Sequence, residues 1–115
     1  MWFTPESDAL AYEAPGHHGM RMRRIQGKEV SPLPDLWSAC LDLEPGGHVE
    51  PKGSPAGKLY LLTQGEVWFR GGAQEVVMHP GDSVFVPPNE EREFKEAAGQ
   101  KARLYLVMLE RFPPL

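Results

Sequence analysis

The sequence has almost no cysteine, no long apolar run and no excess of basic residues, and each absence excludes a class of protein. Its one cysteine, Cys40, cannot form an internal disulfide, and we expect a small core residue within the stretch LWSACLDL. No apolar run approaches the roughly 20 residues that cross a bilayer, so we expect no membrane partner. The formal net charge of −4 argues against nucleic acid as a partner, because an acidic protein repels phosphate backbones.

The N-terminal residues 1–15 contain no lysine or arginine and no long apolar centre, so they do not resemble a secretory signal. A cytoplasmic location is therefore expected. This segment carries Pro5 and Pro15 and is predicted to be an N-terminal arm. Residues 16–115 are predicted to form a single domain, because a chain of 115 residues supports one hydrophobic core.

Turn-forming residues dominate the chain. Twelve glycines and twelve prolines interrupt it so often that long helices are excluded. Short segments rich in β-branched and aromatic residues remain between turn signals, a pattern typical of an all-β sandwich or barrel. A glycine in the pair Gln64–Gly65 supplies a positive φ, so we expect a tight hairpin there. The predicted strands are 20–26, 36–43, 58–63, 66–71, 74–79, 82–87, 91–96 and 102–111.

Two stretches carry a more specific spacing. In the first, Gly46 is followed after five residues by Lys52, then by Ser54, Lys58 and finally Gly65. In the second, HPGDSVFVPPNEEREF, a PGD turn, an alternating strand and a proline fall in register.

From about residue 36 to residue 109 these spacings resemble the two motifs of a small single-domain cupin of the RmlC-like, cupin 2 conserved-barrel type. The resemblance implies a double-stranded β-helix, that is, a jelly-roll β-barrel around a ligand cavity. Small cupins often pair by exchanging N-terminal strands, so the resemblance also implies a homodimer.

The family's metal-ligand positions are occupied here by Lys52, Ser54, Lys58 and Arg92. A protonated lysine or an arginine has no lone pair to offer and repels a cation, so we expect neither a metal nor another cofactor. The alternative is a slipped loop that turns His48 and Glu50 inward, with a displaced metal site completed by His79 or His17. The neighbours His17 and His18 are otherwise predicted to be loop residues.

The replaced positions predict a cationic cavity with aromatic walls. The predicted ligand-binding residues are Lys52, Ser54, Lys58, Tyr60, Arg92 and Phe94. Buried positive charges need compensation, which a small organic anion such as a carboxylate or phosphate would supply. In the alternative, internal acids neutralise the cations, or long side chains carry the charges to the mouth. The candidate acids are Glu50, Glu66, Glu91 and Glu93.

Catalysis stays open at this stage, and no catalytic residue is assigned. Some metal-free cupins isomerise or epimerise sugars with a histidine base and a tyrosine acid, but no predicted strand interior contains a histidine. Lys58 beside Tyr60 could serve instead, because burial favours the neutral amine of a lysine. Binding without chemistry is the simplest interpretation.

Overall fold

The computed structural model describes residues 1–111, and nearly all of its regular structure is β-strand. The elements in chain order are a 3-10 helix Glu6–Asp8 and strands β1 Leu10–Tyr12, β2 His17–Gln26, β3 Leu36–Lys52, β4 Gly57–Gln64, β5 Val67–Gly71, β6 Gln74–Met78, β7 Ser83–Val86, β8 Arg92–Glu96 and β9 Ala102–Leu109. The predicted all-β jelly-roll barrel is confirmed. No helix within these residues has the length and apolar character that a membrane crossing requires.

The long strand β3 organises the barrel. The strands run antiparallel in the order β6–β5–β8–β3–β9–β4–β7, and β2 also pairs with β3. The first half of β3 pairs with β9, from Leu36 opposite Leu109 to Leu43 opposite Ala102. Its last residues pair with β8, which places Lys52 opposite Arg92. Two cations that are distant in sequence thus become neighbours at one end of the barrel.

An aromatic cluster fills the barrel beneath that end. The rings of Phe69 and Phe94 stack with centroids 5.3 Å apart, and the edge of Tyr60 approaches them at 5.1 and 5.3 Å. Tyr60 and Phe94 are both fully buried, and Cys40 is buried as expected. Because aromatic pairs stabilise one another beyond their burial, this cluster fixes the position of the Tyr60 side chain.

The predicted hairpin across Gln64–Gly65 is wrong. Gly65 has the positive φ of 87° that the prediction requires, but β4 pairs with β7 and β9, whereas β5 pairs with β6 and β8. A Cβ at Gly65 would lie 2.8 Å from the Cβ of Ala102, so the glycine lets the chain cross closely over β9. Both edges of β4 are already paired, and the turn therefore carries the chain to other strands.

The segment predicted as an arm lies along strand β2. Strand β1 pairs with β2, with Tyr12 opposite Met22, and Tyr12 contacts the ring of Trp37 edge-on at 5.5 Å. The carboxylate of Glu6 accepts hydrogen bonds from Arg23 and Arg103 at 3.1 and 3.4 Å. The N-terminal residues therefore contribute a wall of the barrel.

Candidate ligand-binding cavity

The barrel encloses an open cavity of about 240 Å³ at the end where Lys52 meets Arg92. Five of the six predicted ligand-binding residues line it, namely Lys52, Ser54, Lys58, Tyr60 and Arg92. The sixth, Phe94, is not part of the lining and packs behind the ring of Tyr60. The alternation of side chains along β4 and β8 thus brings the predicted residues together, except for the one that lies deeper.

Two of the cavity's cations are buried. Lys58 is 2% exposed and Arg92 is 5% exposed. The Nε of Arg92 donates to the hydroxyl of Tyr60 at 3.0 Å, and its Nη1 donates to the backbone carbonyl of Glu50 at 3.3 Å. Among the described residues, the ammonium of Lys58 donates only a long hydrogen bond, 3.5 Å, to the carbonyl of Ala56. These contacts orient both cations without neutralising their charge.

Within residues 1–111, no carboxylate oxygen lies within 4.0 Å of the charged nitrogens of Lys52, Lys58 or Arg92. The four acids considered as internal partners are engaged elsewhere. The Glu50 carboxylate binds His18, the Glu66 carboxylate binds His79, and Glu91 and Glu93 both bind Arg70. These four acids therefore do not neutralise the cavity cations, whereas Lys52 is exposed and carries its charge to the mouth, as the second form of that alternative expects.

The surroundings shift the titration of two cavity residues. Burial, reinforced by the positive charges of Arg92 and Lys52, lowers the pKa of the Lys58 ammonium. Burial also raises the pKa of the Tyr60 phenol, which the guanidinium of Arg92 opposes. The phenol consequently stays protonated near neutral pH, and its oxygen accepts the hydrogen bond from Arg92.

Unsatisfied polar atoms concentrate at this cavity. Among the residues that the structure describes, three buried side-chain polar atoms lack a hydrogen-bond partner: Arg23 Nε, Arg24 Nε and Ser54 Oγ. Arg24 and Ser54 both line the cavity. A buried polar group without a partner costs about 1–3 kcal/mol, so Arg24 Nε and Ser54 Oγ are destabilising features of the cavity wall.

Sequence reasoning missed a second group of lining residues. The guanidinium of Arg24 lies 4.5 and 4.4 Å from the ring centroids of Tyr12 and Trp37, between which it forms cation–π contacts. Arg24 is two residues from the buried Met22 and so shares its strand face. That alternation was the available signal. The other missed lining residues include Glu13, Ala14, His17, Leu41, Leu106 and Met108.

His17 corrects the loop prediction for the histidine pair. It begins strand β2 and lines the cavity, and its Nδ1 lies 3.0 Å from the carbonyl oxygen of Pro15. Burial lowers the pKa of the His17 imidazole, and the charges of Arg92 and Lys52 act in the same direction. His17 is therefore a neutral imidazole near pH 7.

Of the residues considered for the displaced metal site, His17 lines the cavity, whereas His48, Glu50 and His79 do not. The ring of His48 stacks on His18 at 4.8 Å, and His79 binds Glu66. In the described part of the chain, no group of three or more His, Cys, Asp or Glu side chains is arranged to hold a metal ion. The side chains at the family's own ligand positions do not fit a cation either, because ammonium and guanidinium groups offer it no lone pair.

The chain is similar to several known proteins in sequence or in fold. A model of the family described as "Cupin domain" matches residues 40–109. A protein of Mycobacterium tuberculosis named beta-D-galactosidase Rv1717 is 29% identical over 108 residues, which cover 94% of this chain and 93% of the relative. The structure of the polyketide cyclase RemF from Streptomyces resistomycificus has a TM-score of 0.82 at 19% identity and covers 99% of this chain and 82% of that one. A predicted oxalate decarboxylase from Thermotoga maritima has a TM-score of 0.81 at 19% identity, with coverages of 95% and 99%. At these identities the two structures show the fold alone.

Proposed function

The chain belongs to the cupin domain family, and we propose that it is a metal-independent cupin that binds a small organic anion in its barrel cavity. One observation carries the proposal: Lys58 and Arg92 are buried in the cavity with no carboxylate in reach within residues 1–111. Desolvating an unpaired charge costs several kcal/mol. A bound anion would compensate both charges at once, since they line one space.

The cavity residues have different roles in binding the proposed anion. The guanidinium of Arg92, held by Tyr60 and by the Glu50 carbonyl, offers directional donors to a carboxylate or phosphate. Lys58 adds a point charge, and Lys52, exposed at the rim, attracts an approaching anion. Ser54 adds a further polar residue to the cavity lining.

The other side of the cavity favours an organic ligand over an inorganic one. Trp37, Leu41, Leu106 and Met108 present apolar surface to the same space. A volume of about 240 Å³ is below that of most drug-sized pockets, which hold roughly 300–1,000 Å³. The proposed ligand is therefore a small carboxylic acid or phosphate ester with an apolar portion.

Arg92→Gln tests the anion site. We expect it to weaken binding of the best ligand from a panel of carboxylates and sugar phosphates by about 30-fold, because a hydrogen bond to a charged group contributes about 2 kcal/mol. Isothermal titration calorimetry measures the change. Arg21→Gln is the matched control, since Arg21 is exposed on β2 and does not line this cavity. Equal affinities in both variants would contradict the proposed site.

The second candidate is an enzyme that acts on sugars by acid–base catalysis. The relative's name and the presence of His17 and Tyr60 on one cavity favour it. Hydrolysis of a galactoside usually requires two carboxylates, and Glu13 is the one acid on this cavity lining. Isomerisation or epimerisation needs a base and an acid, roles that suit a neutral imidazole and a protonated phenol.

Exchange of substrate hydrogen with solvent deuterium distinguishes such an enzyme from a protein that only binds its ligand. An isomerase or epimerase with His17 as its base would incorporate deuterium from D2O into a sugar or sugar phosphate of the panel. His17→Asn would then reduce the rate by about 100-fold or more, and His48→Asn, outside the cavity, would not. We expect no exchange if the protein only binds, and mass spectrometry of the recovered sugars measures it.

A further inference from the structure

Lys58 differs from every other lysine of the chain in its surroundings. The protein has five lysines, all within residues 1–111, and Lys28, Lys52, Lys95 and Lys101 are exposed. Lys58 is buried, yet the residue lines an open cavity, and its one hydrogen bond within residues 1–111 is long. A buried lysine that merely filled core space would point its ammonium at a carboxylate.

The neighbours of Lys58 make it easier for its ammonium group to lose a proton. Arg92 and Lys52 bring positive charge from β8 and β3, and burial removes the water that would solvate an ammonium ion. Lysines become nucleophiles in proteins by these two means, desolvation and an adjacent cation. The pKa of Lys58 is lowered accordingly.

We propose that the amine of Lys58 forms an imine with the carbonyl carbon of a small oxo acid held in the cavity. The proposal rests on the anion site proposed above, which would hold the acid's carboxylate at Arg92. The lone pair of the Lys58 nitrogen forms the new bond to carbon as the π electrons move to the carbonyl oxygen. Both amine hydrogens leave with that oxygen as water, so the carbon–nitrogen double bond replaces the carbon–oxygen one without any oxidant or reductant.

The cavity supplies what this step needs from the protein. Ser54 and Tyr60 line the same cavity as Lys58, and the protonated phenol of Tyr60 can donate a proton to the departing oxygen. The apolar wall at Leu106 and Met108 limits water and so disfavours hydrolysis of the imine. An imine carbon withdraws electrons from its neighbours, so the bound acid would be activated at the adjacent carbon.

Reductive trapping tests the inference on the intact protein. Pyruvate is the probe, sodium cyanoborohydride near pH 7 converts an imine to a stable secondary amine, and peptide mapping by mass spectrometry locates the adduct. We expect Lys58 to be modified faster than any of the four exposed lysines, because its position in the cavity brings it next to the bound acid and its lowered pKa leaves a larger neutral fraction of amine. The exposed lysines serve as internal controls in the same sample.

A comparison with acetone, a neutral carbonyl compound, distinguishes a failure of the imine proposal from a failure of the anion-site proposal. Faster trapping of pyruvate than of acetone at Lys58 supports both proposals. Equal trapping of the two at Lys58 supports the reactive amine and overturns the anion site. Pyruvate that binds by calorimetry but leaves Lys58 unmodified overturns the imine and leaves the anion site intact. The absence of any Lys58 adduct with either reagent overturns the inference. Lys58→Arg keeps the charge but forms no reducible imine, and its thermal unfolding shows whether it is folded.

Discussion

Replacing Lys58 by methionine is expected to stabilise the protein by about 2 kcal/mol while it abolishes or severely weakens anion binding. The variant removes a buried cation that has no carboxylate partner within residues 1–111 and that lies beside two further cations. Replacing buried charged groups by apolar ones of similar volume often stabilises a protein by 1–4 kcal/mol. Methionine has a comparable length and flexibility and packs adaptably. Urea unfolding at neutral pH measures the stability.

The gain in stability expected for Lys58→Met depends on pH. The pKa of Lys58 is lower in the folded chain than in the unfolded one, so the unfolded chain binds more protons between the two values. Wild-type stability therefore rises with pH in that alkaline window, up to the ordinary lysine pKa of about 10.4. The advantage of Lys58→Met is full below the lowered pKa and shrinks above it. The other titratable and charged groups on this cavity are Tyr12, Glu13, His17, Arg24, Lys52, Tyr60 and Arg92, and all are shared by wild type and variant.

Lys95→Met is the matched control, because Lys95 is exposed on β8 and outside the cavity. A surface substitution of this kind changes stability by no more than about 0.5 kcal/mol, and we expect it to leave anion affinity unchanged. A loss of stability in Lys58→Met would show that the ammonium has a counter-charge in solution and would contradict the cavity electrostatics. This pair of results distinguishes a lysine kept for its ligand from one kept for the fold.

The barrel was predictable because its signals are local and repeated. Glycines and prolines separate the strands, and each of the eight predicted strands is present. The resemblance of two stretches to the cupin motifs placed Lys58 and Arg92 on one cavity, and the structure brings both residues to its lining. The hairpin at Gly65 failed because local turn chemistry cannot tell whether both edges of β4 are already paired.

The rest of the cavity depends on contacts between distant segments. Tyr12 and His17 line the cavity because β1 pairs with β2 and β2 pairs with β3. The composition of the N-terminal residues does not predict that pairing. Phe94 shares a strand face with Arg92, but the alternation of side chains predicts only the face and not how deep in the barrel a residue lies. Phe94 lies below the cavity, among the aromatic rings. The homodimer and the cytoplasmic location stay predictions.

The second large effect is expected at Glu96, a residue that supports the strands around the cavity. This buried residue ends strand β8. The carboxylate accepts backbone N–H bonds from Ala98, from Gly46 and Gly99 at 3.0 Å each, and from Gln100 at 3.2 Å. It therefore ties the bend of β3 at Gly46 to the turn between β8 and β9, and so holds in place the two strands that carry Lys52 and Arg92.

Glu96→Gln is expected to lower the free energy of unfolding by about 3 kcal/mol. Glutamine keeps the shape but replaces one acceptor oxygen by a donor NH2 group, which would face backbone N–H donors and leave buried groups unsatisfied. Urea unfolding measures the loss, and Glu91→Gln is the control, because its exposed ion pair with Arg70 contributes at most about 1 kcal/mol. Equal effects of the two substitutions would refute the structural role of Glu96.

The pH dependence of the same variant gives a readout that a simple packing defect would not produce. The N–H bonds, with that of Gly46 foremost, lower the pKa of Glu96 below its ordinary value. The stabilisation is therefore fully present above the unfolded pKa of about 4.3 and is lost as the pH falls through the lowered folded value. Wild type should lose stability in that acidic window more steeply than Glu96→Gln, so the difference between them should narrow there. A difference that stays constant across the window would mean that the carboxylate's charge does not hold the turn, and that β3 and β8 keep Lys52 opposite Arg92 by strand pairing alone.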